Sequence, residues 1–281
     1  MFINTTFLRL IYLLIVFIIS SHIYPRPHSF LSYNIRYDNT WDVKNSWKIR
    51  KNKVSQILTR YGPSFIGIQE GLFNQVQYID SCLINYEYVG VGRDDGKKEG
   101  EFCAIYFDTT RYTILKYSTF WLSETPDTIS IGWDAALERI CTYGLFKDIK
   151  TEDKFWVFNT HFDHLGSVAR EQSSGLILEM INKLNHRSLP LILMGDFNSI
   201  PDSPPIKKIK IELSDALQIS LGALEGPIGT FNGFNVDLPI EKRIDYIFTS
   251  NVKVLSYIHI DDRLDNNRHT SDHLPVMIKI Q

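Results

Sequence analysis

Leu191-Ile192-Leu193-Met194-Gly195-Asp196-Phe197-Asn198-Ser199 sets four consecutive apolar residues before a glycine, then a carboxylate and a carboxamide two residues apart. The apolar run reads as a buried strand. Gly195 is expected to let the backbone turn at its end. In extended geometry residues i and i+2 project to the same side, so Asp196 and Asn198 can reach one point above a sheet edge. In isolation Gly-Asp-x-Asn equally suits a plain turn, because Gly, Asp and Asn favour turns for local reasons. The balance shifts because similar polar groups begin or end several other strands.

Upstream, Phe30 to Tyr37 alternates as a strand with Asn34 near its end, and the apolar run from Phe65 to Glu70 terminates in the Glu70 carboxylate. Phe155 to Asn159 leads into Thr160-His161-Phe162-Asp163-His164. Downstream, Arg243 to Phe248 contains Asp245, and Thr270-Ser271-Asp272-His273 precedes a last apolar strand. Helices are expected over Arg50 to Arg60, stopped by Gly62-Pro63, over Phe73 to Leu83, and from Ser167, where Leu176, Ile177, Met180, Ile181 and Leu184 form a buried stripe. Short helices are expected between Asp202 and Leu221. Tyr86 to Val91 and Glu101 to Phe107 read as antiparallel strands around a charged turn. Thr119 to Leu137 is less regular and carries Trp121 and Trp133; such a loop either shapes the substrate or serves as a structural flap. Hairpins mixed with strand-helix-strand units imply one α/β domain over 29–281, with mixed sheets packed face to face and helices outside.

The 281 residues are ample for a core. An apolar fraction of 44% and a charged fraction of 22% are ordinary for a globular protein. A net charge of −2 exerts no global pull toward nucleic acid or anionic membrane. Cys82, Cys103 and Cys141 lack metal-site spacing and read as small buried hydrophobes. Arg9, the run Leu10 to Ile19, then Ser20-Ser21 and the Pro25/Pro27 break describe a secretory signal over residues 1–24. Uncleaved, the segment is about long enough to anchor the chain in a bilayer. A secreted, periplasmic or outward-facing membrane-anchored monomer is therefore expected.

The polar groups at strand ends are Asn34, Glu70, His161, Asp196, Asn198, Asp245, Asp272 and His273. Should those ends meet, four carboxylates would gather, and they would raise one another's pKa values unless a cation joined them. Oxygen ligands without a cysteine or histidine pair at metal spacing call for a hard ion: Mg²⁺, with Mn²⁺ or Ca²⁺ as substitutes. Such sites leave positions for water and a phosphate oxygen, the arrangement that phosphoryl-ester hydrolysis needs.

Six stretches in this order, Ser-Tyr-Asn-Ile-Arg-Tyr-Asp, Ile-Gly-Ile-Gln-Glu, Asn-Thr-His-Phe-Asp-His, Met-Gly-Asp-Phe-Asn, Arg-Ile-Asp-Tyr-Ile-Phe and Ser-Asp-His-Leu-Pro-Val, resemble the endonuclease/exonuclease/phosphatase superfamily. The segment Gly-Trp-Asp-Ala-Ala-Leu-Glu-Arg is similar to a secreted metal-dependent hydrolase branch of it. The resemblance implies a four-layer α/β sandwich of two mixed sheets flanked by helices, with the site at one rim. It implies Glu70 as principal metal ligand, with Asn34 beside it and Asp272 on the same side. Asp196 would orient or deprotonate the attacking water, Asn198 would help position water and phosphate, and His273 would act at the scissile phosphate with Asp245 fixing its tautomer. His161 would donate to phosphate, with Glu101 as its orienting acid. Arg139 either contacts phosphate or forms a rim salt bridge, and Arg36 and Arg170 stand in the same position. Asp163 and His164 either hold a turn or play a role. His22, His28, His186, His259 and His269 read as surface or linker residues.

These readings imply an exported Mg²⁺-dependent phosphoesterase acting on a lipid head group, a small organophosphate or nucleic acid. No Lys/Arg-dense insertion for gripping duplex DNA is present, which counts against a DNase-like endonuclease. A non-catalytic binding protein on the same fold is the remaining alternative.

Overall fold

The computed structural model describes residues 26–281. The signal or anchor expected over 1–24, and His22 within it, lie outside the described residues. Among these, no helix is long and apolar enough to cross a membrane.

Among the described residues, thirteen strands form two mixed sheets. The first contains β1 (His28–Asn34), β2 (Phe65–Gln69), β3 (Tyr86–Val89), β4 (Ile105–Asp108), β10 (Leu224–Glu225), β12 (Val254–His259) and β13 (Val276–Ile280), ordered β10-β12-β13-β1-β2-β4-β3. The second contains β5 (Tyr112–Trp121), β6 (Ile140–Asp148), β7 (Lys154–His161), β8 (Leu191–Asp196), β9 (Ser214–Asp215) and β11 (Asp245–Ser250), ordered β5-β6-β7-β8-β11-β9.

The two-residue period of a strand separates the core into layers. In β8, Ile192 and Met194 face the space between the sheets and pack with Phe30, Phe65, Phe155, Val157, Ile247 and Ile278. Leu191 and Leu193 face outward, onto Ile177, Leu178 and Ile181 of the helix Ser167–Leu184. In the first sheet Leu31, Tyr33, Ile66 and Ile68 face outward, with Val54, Ile57 and Leu58 of the helix Trp47–Tyr61 and Val76 and Ile79 of the helix Phe73–Cys82. A strand covered on both faces has no polar side to show, which is why the run before Gly195 is unbroken. The result is the expected sandwich of two sheets flanked by helices.

Four expectations need correction. Gly195 does not turn the chain: it lies within β8, paired with Thr160 and Tyr246. A Cβ there would sit 2.1 Å from the Thr160 carbonyl oxygen, so close approach of β7 demands the glycine. Thr119 to Leu137, expected to be an irregular loop, opens on the end of a strand, β5, that starts at Tyr112; β5 is a sheet edge whose exposed middle and bulge between Ile114 and Lys116 hide the apolar pattern. His259 and His269 are buried, each 1% exposed, and His28 is half-buried against the Tyr112 hydroxyl. Cys103 and Cys141 are buried as expected, whereas Cys82 is half-buried.

Candidate active site

Strand parity delivers the site. Asp196 has the inward parity of Ile192 and Met194, and Asn34 that of Phe30, so both reach the gap between the sheets at one rim. Asp196 pairs in register with His161 of β7 on one side and Asp245 of β11 on the other. Asn34 Nδ2 crosses between the sheets, donating to Asp196 Oδ2 at 3.0 Å and to Glu70 Oε1 at 2.9 Å. Ser271 Oγ donates to the Asn34 carbonyl at 2.7 Å, which brings the Asp272-His273 segment over the same rim.

Ligand atoms of Glu70, Asp196 and His273 lie within 4.8 Å of one another. Together with Arg36, Tyr37, Glu101, Leu137, Arg139, Asp272 and other residues they line a cavity of about 420 Å³. Three of its residues, Arg36, Glu70 and Asn198, hold left-handed backbone at φ +57°, +60° and +45°. Such conformations cost non-glycine residues energy and concentrate where a site must be held in shape.

His273 Nδ1 donates to Asp245 Oδ2 at 2.9 Å, and its Nε2 faces Asp196 Oδ2 at 3.7 Å. Burial acts to lower the His273 pKa, but the charges of Asp245 and Asp196 outweigh it and hold the imidazole well above its ordinary value. Burial pushes the Asp196 carboxyl up to about 7, with Asp245 adding to the rise and His273 opposing it. Asp272 is raised as well, by burial and by Glu70. Asn198 supplies its backbone N–H to Asp196 Oδ1 at 2.8 Å and its Nδ2 to the Phe162 carbonyl at 3.0 Å.

His161 is not oriented as expected. Glu101 is bound at two points by Arg93, at 2.7 and 2.9 Å, and stands 3.7 Å from His161 Nδ1. That nitrogen instead faces Arg139 Nη1 at 3.1 Å. A guanidinium only donates, so Nδ1 accepts and the ring hydrogen sits on Nε2, which faces Asp196 Oδ2 at 3.4 Å; Asn198 Nδ2, itself a donor, makes no hydrogen bond with it in that tautomer. Burial and then Arg139 hold the His161 pKa well below its ordinary value. Each of the other two Arg139 nitrogens is engaged as well: Nη2 donates to His164 Nδ1 at 2.9 Å and Nε to Asp163 Oδ2 at 3.3 Å. Its guanidinium supports the site rather than reaching into it. Asp163 Oδ1 accepts from the N–H groups of Leu165 and Gly166, and Arg170 Nη1 donates to the Asp163 carbonyl. Trp133 lies outside the cavity lining, its backbone N–H donating to Glu124 Oε2 at 3.2 Å.

Sequence reasoning missed an amide lattice beneath the site. Gln69 Nε2 donates to Asn159 Oδ1 at 2.6 Å, and Asn159 Nδ2 donates to the Ile68 and Ala104 carbonyls at 2.9 Å. The buried Arg50 donates to the carbonyls of Ile35, Arg36, Asn45 and Thr270. A lone amide inside each quoted strand motif was the available signal for the first; the Arg50 helix position carried none.

The donor chemistry fits a hard divalent cation. The carboxylates of Glu70, Asp196 and Asp272 line the cavity, and that of Asp245 stands behind His273, with its Oδ1 buried and without a hydrogen-bond partner. Glu70 and Asp196 would hold the ion, with Asp272 alongside. Asn34 instead spans the two principal carboxylates with its amide nitrogen, while its oxygen accepts the Arg36 N–H at 3.0 Å.

Residues 31–273 match the Endonuclease/Exonuclease/phosphatase family, and the chain belongs to it. Its members are hydrolases of phosphoester bonds. A mannosyl-6-phosphatase of Bacteroides thetaiotaomicron VPI-5482 is 36% identical and superposes with a TM-score of 0.87, covering 90% of this chain and 99% of that one. An endonuclease/exonuclease/phosphatase of Bacteroides vulgatus is 35% identical with a TM-score of 0.86, over 91% and 99% of the two chains. An uncharacterised protein of Acanthamoeba polyphaga mimivirus is 27% identical over 252 residues, 83% of this chain and 91% of that protein.

Proposed function

We propose that the chain is an exported, divalent-metal-dependent phosphoesterase that hydrolyses the phosphate ester of a small organophosphate, with sugar phosphates as the leading substrate class. The observation that carries this reading is the convergence of Glu70, Asp196 and His273 within 4.8 Å, beside the Asp245–His273 pair. The likeness to a mannosyl-6-phosphatase over nearly the whole of both chains supports the substrate class. The apolar run Leu10 to Ile19 supports export.

In this reading the Asp196 carboxylate aligns a water for in-line attack, held in orientation by the Asn198 N–H and the Asn34 amide. His273, its tautomer fixed by Asp245, presents Nε2 to the phosphoryl group. His161, with its hydrogen on Nε2, donates to a phosphate oxygen. A bound Mg²⁺ or Mn²⁺ would polarise the phosphoryl group and stabilise the leaving oxygen.

Phosphate release should be measured from mannose 6-phosphate, glucose 6-phosphate, p-nitrophenyl phosphate, sphingomyelin and DNA, with and without EDTA. Release from the sugar phosphates that disappears in EDTA and in Asp196→Asn supports the proposal. Release that persists unchanged in either overturns it. Cell fractionation that leaves the protein in the cytoplasm overturns the export part alone.

A further inference from the structure

Two arginines line the cavity, and they differ in what their guanidinium groups have left to offer. The side chain of Arg139 is 5% exposed and its three nitrogens serve His161, His164 and Asp163. The side chain of Arg36 is 24% exposed. Its Nε and Nη2 bind Asp42 at two points, 2.9 and 3.1 Å, and its Nη1 makes no hydrogen bond among the described residues. Nη1 stands 3.9 Å from Glu70 Oε2 and 3.8 Å from Asp272 Oδ2, close enough for attraction and too far for a hydrogen bond.

This placement is imposed from several directions. The left-handed backbone of Arg36, at φ +57°, is strained for a non-glycine residue and persists only where neighbours over-determine it. Its N–H donates to Asn34 Oδ1, and its carbonyl accepts from the buried Arg50 at 3.1 Å and from Gln75 at 2.9 Å. The guanidinium also lies over the Tyr37 ring, 4.7 Å from its centroid. A strained backbone, a two-point acid and a ring thus hold one cationic nitrogen, Nη1, with its N–H groups free at the rim where the carboxylates converge.

We infer that Arg36 is the phosphate-recognition residue of this site and selects phosphomonoesters over phosphodiesters. The inference rests on the phosphoesterase reading above and narrows its substrate class. A monoester offers three terminal oxygens and up to two negative charges; a diester offers two oxygens and one charge. A fixed guanidinium whose Nη1 keeps both N–H groups vacant favours the ligand with the extra charge and the extra acceptor. Asp42 is a positioning residue, since it fixes the fork without lining the cavity.

Arg36→Gln, Arg36→Lys and Asp42→Asn should be compared with the parent protein in Mg²⁺. The measurements are kcat and KM on p-nitrophenyl phosphate and bis(p-nitrophenyl) phosphate, and calorimetric titration with inorganic phosphate. Arg36→Gln is expected to lower monoester kcat/KM about 10–100-fold, the worth of a hydrogen bond to a charged group. Inorganic phosphate should bind at least tenfold more weakly, and the monoester-to-diester ratio should fall. Arg36→Lys and Asp42→Asn should lie between, because one keeps the charge without the fork and the other keeps the guanidinium without its orientation. Equal phosphate affinity in Arg36→Gln and the parent overturns the inference, as does an equal fall on both esters. A parent that cleaves neither ester overturns the phosphoesterase reading instead, and the titration still judges Arg36. Should Arg36→Gln fail to fold, Asp42→Asn decides: unchanged phosphate affinity and an unchanged ester ratio there overturn the inference.

Discussion

His273 Nδ1 donates to Asp245 Oδ2 at 2.9 Å although the two residues enter from different sheets, Asp245 at the start of β11 and His273 just before β13. The acid accepts, so the ring keeps its hydrogen on Nδ1 and turns Nε2 toward Asp196. Asp245→Asn keeps the volume but can present an amide N–H to that nitrogen, moving the hydrogen to the wrong side of the ring. We expect kcat to fall about 10²–10⁴-fold, the range for a positioned acid–base group, while far-UV circular dichroism stays that of the parent. A loss under threefold would remove Asp245 from the tautomer role.

Arg139 is the cation that Asp163, His161 and His164 share. Arg139→Met leaves the Asp163 carboxylate, 1% exposed, without its charge partner. Breaking a buried pair on one side costs about 3–5 kcal/mol. The urea midpoint should drop accordingly, and activity should fall further than stability explains because His161 loses the donor that sets its tautomer. An unshifted midpoint would mean the pair contributes little to the fold.

The gathered carboxylates of Glu70, Asp196 and Asp272 make the protein a sensor of its own cation. Mg²⁺ or Mn²⁺ at a hundred times its dissociation constant should stabilise the fold by about 2.7 kcal/mol, read as a rise in melting temperature that EDTA reverses. Glu70→Gln should abolish the rise. The same rise in Glu70→Gln as in the parent would place the ion elsewhere.

His259 is 1% exposed, and burial lowers its pKa, opposed by the Pro227 carbonyl that its Nδ1 donates to at 2.7 Å. The folded pKa lies below the unfolded value of about 6.5, so the unfolded chain binds the extra proton in the interval between them. The contribution is therefore complete above pH 6.5 and is lost as pH falls through the folded value. Urea midpoints should decline from pH 7.5 to pH 5, and the decline should be shallower in His259→Gln. An identical slope in the variant would exclude His259 as a contributor.

Much of the site could be read before any folding was considered. Asn34 and Asp196 follow, and Asp245 precedes, their strands' apolar residues at inward parity, and parity is a local property of extended chain. The same logic produced the sandwich, since the runs around Ile66 and Leu193 alternate between two cores. It failed at the sheet edge, where Tyr112 to Trp121 is half-solvated and carries no clean alternation. It failed again at His259 and His269, because a polar residue's burial depends on what other segments lay across it.

The amino-acid sequence by itself determined which chemical groups stand at the ends of which strands, because side-chain type and two-residue alternation are written locally along the chain. Only the tertiary structure decided their partners. It set Arg139 rather than Glu101 on His161, made Gly195 necessary through the approach of Thr160, and left Nη1 of Arg36 without a hydrogen bond beside the carboxylates. Those outcomes depend on distances between segments far apart in sequence, and such distances exist only once the two sheets have closed on each other.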